Sequence, residues 1–132
     1  MIIIPQYIAD AMIKHVQSEL PNEACGLLTG KDNRVQNLFT MFNVDQSPEH
    51  FSFDPQEQFQ VMKTARVDGQ KIIANFHSHP SSPARPSEED IRLAYDPNIV
   101  YIIISLAGET PVMKAFVKNQ DGGMQPCDIQ YD

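Results

Sequence analysis

NFHSHPSSPARPSEED, residues 75–90, carries a strand into a loop and the loop into a helix, and the fold is read outward from it. The residues just before it, Lys71 to Phe76, are nearly all apolar and read as a central strand. His77 and His79 lie two apart on the extension of that strand, so a period of two puts both imidazoles on one side. Two neutral imidazole nitrogens about 3 Å apart can grip one Zn²⁺, with Zn–N distances of about 2.0–2.1 Å. Pro80 stops the strand, a loop rich in Ser and Pro runs to Pro86, and Ser87 caps a short helix ending near Tyr95. Asp90 sits one turn into that helix and offers a carboxylate as third ligand, leaving a fourth position for water. That is the pattern of a catalytic rather than a structural zinc. Two plainer readings stand beside it. H-x-H alone is a weak metal signal, and Ser87 with Asp90 also spells a capping box.

On the N-terminal side, Ile8, Met12, Ile13, Val16 and Leu20 repeat at helical spacing between Pro5 and Pro21, which gives a helix over residues 5–20. Ala24 to Gly30 is a short apolar strand, and residues 34–44 form a second one joined to it by a tight turn. Ser47 to Phe53 reads as a loop. Asp54 and Pro55 begin a helix that runs to about Val67, with Asp68 and Gly69 ending it. On the C-terminal side, Ile99 to Leu106 and Pro111 to Val117 are further strands, and the tail is loosely strand-like. The fold class is therefore mixed α/β, one mixed β-sheet flanked by helices.

The 132 residues fit one domain, 1–132, long enough to bury a core without disulfides or a structural metal. Any metal is thus free to serve chemistry. The formal net charge of -7 argues against a duplex nucleic-acid partner, which needs clustered Lys and Arg, and against an anionic membrane surface. Cys25 and Cys127 form no C-x-x-C pair and are too few for a disulfide framework, and Cys25 reads as a small buried hydrophobe. The start, MIIIPQYIADAM, lacks the layout of a signal peptide, and no run approaches transmembrane length. A reduced, cytoplasmic protein is the expectation. The sequence sets no oligomeric state.

Other zinc chemistries fail on residues. A nucleobase deaminase needs H-x-E followed by P-C-x-x-C, and Pro126-Cys127 has no second cysteine after it. H-E-x-x-H is absent. A binuclear site needs more histidines, and only His15 and His50 remain outside the motif.

Glu23 in ProAsnGluAlaCysGlyLeuLeuThrGly, then His77-x-His79, seven residues, and Ser87-x-x-Asp90 together resemble the motif of the JAMM (MPN+) metalloproteases without gap or substitution. The order of helices and strands is similar over most of the chain. The resemblance implies a JAMM/MPN, cytidine-deaminase-like fold and one zinc per chain held by His77, His79 and Asp90. It also implies Glu23 as general base and then general acid, and Ser87 as a donor to the oxyanion. The short length resembles stand-alone prokaryotic members that act on the C-terminal tail of a ubiquitin-like or sulfur-carrier protein. The implied activity is hydrolysis of an amide bond there, as a peptidase or isopeptidase. Residues 43–53 and 80–86 are the expected walls of the tail groove. The competing reading is a non-catalytic zinc-containing interaction module, and Glu23 separates the two, because a purely structural zinc needs no poised carboxylate.

Overall fold

A computed structural model describes residues 1–132. Eight strands form one mixed sheet in the order β7-β6-β5-β4-β2-β3-β1-β8. They are β1 (Ile2–Ile4), β2 (Cys25–Lys31), β3 (Arg34–Met41), β4 (Lys71–His79), β5 (Val100–Ser105), β6 (Val112–Lys118), β7 (Met124–Cys127) and β8 (Ile129–Tyr131). Three helices accompany them: α1 (Gln6–Ser18), α2 (Pro55–Val67) and α3 (Glu88–Leu93). The mixed α/β class and the single sheet follow the expectation from sequence. β1 does not. Its three isoleucines are too short a run to signal a strand alone, and they are held by parallel pairing to β3 on one side and β8 on the other.

α1 buries Ile8, Met12 and Val16, spaced by four, and lays them on Leu28, Ala74, Phe76, Ile102 and Ile104. Alternation along β4 sends Asn75, His77 and His79 to the opposite face from Ala74 and Phe76. On that second face, α2 packs Val61 over Cys25, Leu27 and Met41, with Phe51, Phe53 and Ile72 at the edges. Gly26 lets the two central strands close up. A Cβ there would stand 2.3 Å from the Phe76 ring and 2.8 Å from the Phe39 carbonyl oxygen.

β4 runs three residues past the apolar stretch, through both histidines. The polar residues stay extended because both neighbours pair with them. Cys25 faces His77 on β2, and Ile103 and Ser105 face His77 and His79 on β5. β3 ends at Met41, short of the expected residue 44. The Phe42 amide leaves the ladder to donate to the Glu57 carboxylate, and Asn43 turns inward. α3 ends at Leu93 rather than Tyr95. Pro97 disfavours a helical conformation at Asp96, and the Tyr101 hydroxyl caps the turn by donating to the Asp96 carbonyl at 2.8 Å. Pro126 lies in β7, an edge strand, where a missing N–H is tolerated. No helix is long and apolar enough to cross a membrane.

Candidate metal centre

Three side chains meet where β4 ends and α3 begins. His77 Nε2 and His79 Nε2 are 3.2 Å apart. Asp90 Oδ2 lies 3.2 Å from the first and 3.0 Å from the second. Both histidines are buried, and Asp90 is nearly so. His79 Nδ1 donates to the Pro83 carbonyl at 2.9 Å, which leaves its Nε2 lone pair facing the cluster. Bonds of this kind fix the tautomer and ring orientation of metal-ligating histidines. His77 is held instead by Phe51, stacked on its ring at a centroid distance of 4.5 Å and an interplanar angle of 20°.

The donor set tests whether a metal belongs there. Two imidazole nitrogens and one carboxylate oxygen, all within 4.8 Å of one another, converge on one point. Such a point calls for a cation, and an N/N/O set suits a divalent transition metal. Without one, protons take its place. Burial depresses the His77 imidazole below its usual range. Burial acts the same way on His79, but its hydrogen bonds to Asp90 and Pro83, together with the charges of Asp90 and Glu23, outweigh it and raise it. Burial alone would raise the Asp90 carboxyl, yet the hydrogen bonds of His77, His79 and the Ser87 amide hold it well below the usual carboxylate range.

Asp90 is a cap and a cluster member at once. The Ser87 amide donates to Oδ2 at 3.0 Å, and the Asp90 amide donates to Ser87 Oγ at 3.0 Å. The capping box read from sequence and the contacts to both histidines thus coexist in one carboxylate. Ser87 Oγ is an acceptor in this box, so its own proton stays uncommitted.

Glu23 is buried just before β2, among the sheet ends that hold the histidines. Burial pushes its carboxyl up to about 7; His79 nearby opposes that rise and Asp90 adds to it. The chain around it is pinned on every side. The Glu23 amide donates to the Ser47 carbonyl at 2.8 Å, and its carbonyl accepts from Asn43 Nδ2 at 2.9 Å. The next amide, of Ala24, donates to Ser78 Oγ at 2.8 Å.

All five residues singled out from sequence therefore stand around one place. Ser78 escaped it, and Asn43 and Phe51, inside the expected groove wall 43–53, carry individual roles that the sequence does not single out. Ser78 left a signal, because a serine between two residues that face one way must face the apolar core and find a partner there. Ser78→Ala strands the buried Ala24 N–H and should lower unfolding free energy by about 1–3 kcal/mol. Denaturant unfolding of the variant checks this, and an unchanged midpoint refutes it. The other histidines stay outside the cluster: His15 bonds the Cys25 carbonyl at 3.2 Å, and His50 bonds Glu89 at 2.7 Å. Cys25 is a buried free thiol, pushed up to about 12 by burial and then by Glu57, and so unreactive.

A cleft of about 750 Å³ opens onto His77 and Asp90 between α2 and α3. Asn75, Tyr101 and Ile103 contribute to its lining from the sheet, with Met62 on one helix and Leu93 on the other. Phe51 to Phe53 and Pro86 border it, as expected for the groove. Ala84 and Arg85 instead line a separate hollow of about 480 Å³ beside β6 and β7. The loop turns them away because Ala84 packs on Ile103 and Phe116.

A two-faced mixed sheet with a His-His-Asp cluster at a strand end, a buried glutamate beside it and a groove leading in defines the JAMM-type metalloprotease class. The chain belongs to the prokaryotic homologs of the JAB domain, whose family model matches residues 5–118. It is 30% identical over 107 residues to the CysO-cysteine peptidase of Mycobacterium tuberculosis, covering 80% of this chain and 73% of that one. It is 33% identical over 108 residues to the desampylase of Pyrococcus furiosus, covering 82% and 76%. Among solved structures, a protein of Desulfitobacterium hafniense matches at 47% identity and a TM-score of 0.90, covering 100% of this chain and 93% of that one. The fold is that of solved JAB1/MPN-domain proteins, as the motif implied.

Proposed function

We propose that this protein is a zinc-dependent peptidase that hydrolyses an amide bond at the C-terminal tail of a ubiquitin-like or sulfur-carrier protein. The observation that carries the reading is Glu23, a buried carboxylate whose protonation is coupled to His79 and Asp90. A site that merely stored a metal would gain nothing from keeping it there. The names of the relatives support the substrate class: one is a peptidase for CysO-cysteine, another a desampylase.

His77, His79 and Asp90 would hold the zinc, one per chain. When bound, zinc supplies a Lewis acid and makes hydroxide available near neutral pH. Glu23 takes the proton from the attacking water and passes it to the leaving amine. Ser87 donates a hydrogen bond from its free hydroxyl to the oxygen that gains charge as the carbonyl carbon becomes tetrahedral. The tail lies extended in the cleft between α2 and α3, where the apolar walls of Met62 and Leu93 exclude water. Water is added across one bond, giving a carboxylate on the tail and a free amine.

The test is a sulfur carrier ending in Gly-Gly-Cys, incubated with the zinc-loaded protein and weighed by mass spectrometry. Loss of the mass of a single cysteine residue, cysteine less one water, is the expected result. An intact carrier at full zinc occupancy, with an isopeptide-linked carrier conjugate also intact, sinks the enzymatic reading.

A further inference from the structure

Asn43 is the side chain on which the glutamate, the stacking phenylalanine and the loop between them converge. It is 7% exposed, at the point where β3 leaves the sheet. Its amide is fully used. Nδ2 donates to the Glu23 carbonyl and to the His50 carbonyl, both at 2.9 Å. Oδ1 accepts from the Asp45 amide at 3.0 Å and the Ser52 amide at 3.2 Å. Two carbonyls on one side and two N–H groups on the other admit only one orientation of an amide and no orientation of a carboxylate.

The consequence is geometric. Glu23 precedes the first residue of β2, so the ladder does not hold it. Its amide and carbonyl are held by Ser47 and Asn43, both from the loop that follows β3. The same Asn43 fixes the His50 carbonyl, and the next residue, Phe51, is the one stacked on His77. The His50 ring continues the strut to α3 through Glu89, beside Asp90.

We propose that Asn43 is a positioning residue for the hydrolytic reaction, setting Glu23 at a fixed place relative to the His77–His79–Asp90 cluster. It touches no reacting atom and acts through Glu23. The inference rests on the enzymatic reading above. A misplacement of a catalytic group by about 1 Å can lower a rate by roughly 100-fold. An effect of that size, confined to kcat, is what the strut predicts.

The test uses the full zinc-loaded chain and the cysteine-extended carrier, with Glu23→Gln as reference. Asn43→Asp keeps the shape and both Oδ1 acceptor bonds but sets a carboxylate against two carbonyls. Asn43→Ser leaves a hydroxyl that can donate to one carbonyl only. Expected are kcat losses of roughly 10- to 100-fold in Asn43→Asp and smaller ones in Asn43→Ser, with KM within about threefold of the parent and zinc stoichiometry unchanged. In the Glu23→Gln background, Asn43→Asp should have little further effect, because the group it positions is gone. A folded Asn43→Asp protein with parental kcat overturns the proposal. Equal losses with and without Glu23 overturn it as well. Failure of both variants to fold makes Asn43 a folding residue only and overturns it too. A parent protein that does not cleave the carrier overturns instead the enzymatic reading, before any variant is compared.

Discussion

Glu23→Gln should match the parent's zinc content and turn over substrate roughly 10²- to 10⁴-fold more slowly. Gln keeps the shape and the backbone bonds to Ser47 and Asn43, so the sheet end stays in place. It loses only the capacity to accept a proton and return it. Glu23 is not one of the three converging donor groups, which is why metal content should not move. Loss of zinc together with activity would make Glu23 a ligand or a structural support and would refute the proton-transfer role.

The same substitution carries a pH signature in the metal-free protein. The Glu23 carboxyl rises from its ordinary 4.5 to about 7 in the fold, chiefly by burial. A raised acid is easily kept protonated and costly to ionise, so the folded state is fully favoured below the unfolded value. Stability then falls as pH climbs from about 4.5 toward 7 and stays lowered above it. The site is open on its groove side, so solvent screening reduces the effect to about 1–2 kcal/mol. Denaturant unfolding of metal-free parent and Glu23→Gln should give similar stabilities at acid pH, with the variant the more stable above neutrality. Parallel behaviour across that range would show that burial at Glu23 does not govern the pH response.

What could be read in advance depended on whether a residue's partner was close in sequence. α2 was legible to its ends because Asp54 accepts from the Gln56 amide at 2.9 Å, a local bond between residues of a recognisable start signal. The capping box of α3 was legible for the same reason. That Asp90 also reaches the histidines was open, since a cap and a ligand share one spacing and only the fold brings β4 to the helix. β1 needed β8, from the other end of the chain, before its isoleucines meant a strand. Asn43 looked like one more polar residue in a strand pattern. Its importance comes from Glu23, twenty positions earlier, and from His50, seven later. The groove walls are only half legible, because chain proximity to the motif is a poor guide to which side of a loop faces the sheet.

Asp90→Asn should lower zinc affinity by more than about 100-fold, because changes to outer-shell partners alone weaken binding by 10- to 100-fold. The anionic oxygen is the only charge in the donor set that offsets the metal's, and two neutral imidazoles cannot replace it. The structure also shows why this variant separates ligand from cap. The amide side chain in Asp90→Asn can still place a carbonyl oxygen where Oδ2 stands, accepting from the Ser87 amide, and the backbone N–H at that position keeps donating to Ser87 Oγ. Ser87→Ala does the reverse. It removes the acceptor of the residue-90 amide, lowering stability by about 1 kcal/mol, and leaves all three ligands in place. Titration of zinc against a competing chelator should therefore show a large loss in Asp90→Asn and almost none in Ser87→Ala. Thermal unfolding of metal-free Ser87→Ala should show the loss of that cap even though its zinc affinity is unchanged. Parental zinc affinity in Asp90→Asn would reduce Asp90 to a helix cap. With it would go the three-ligand centre, since His77 and His79 alone are only two histidines spaced along a strand.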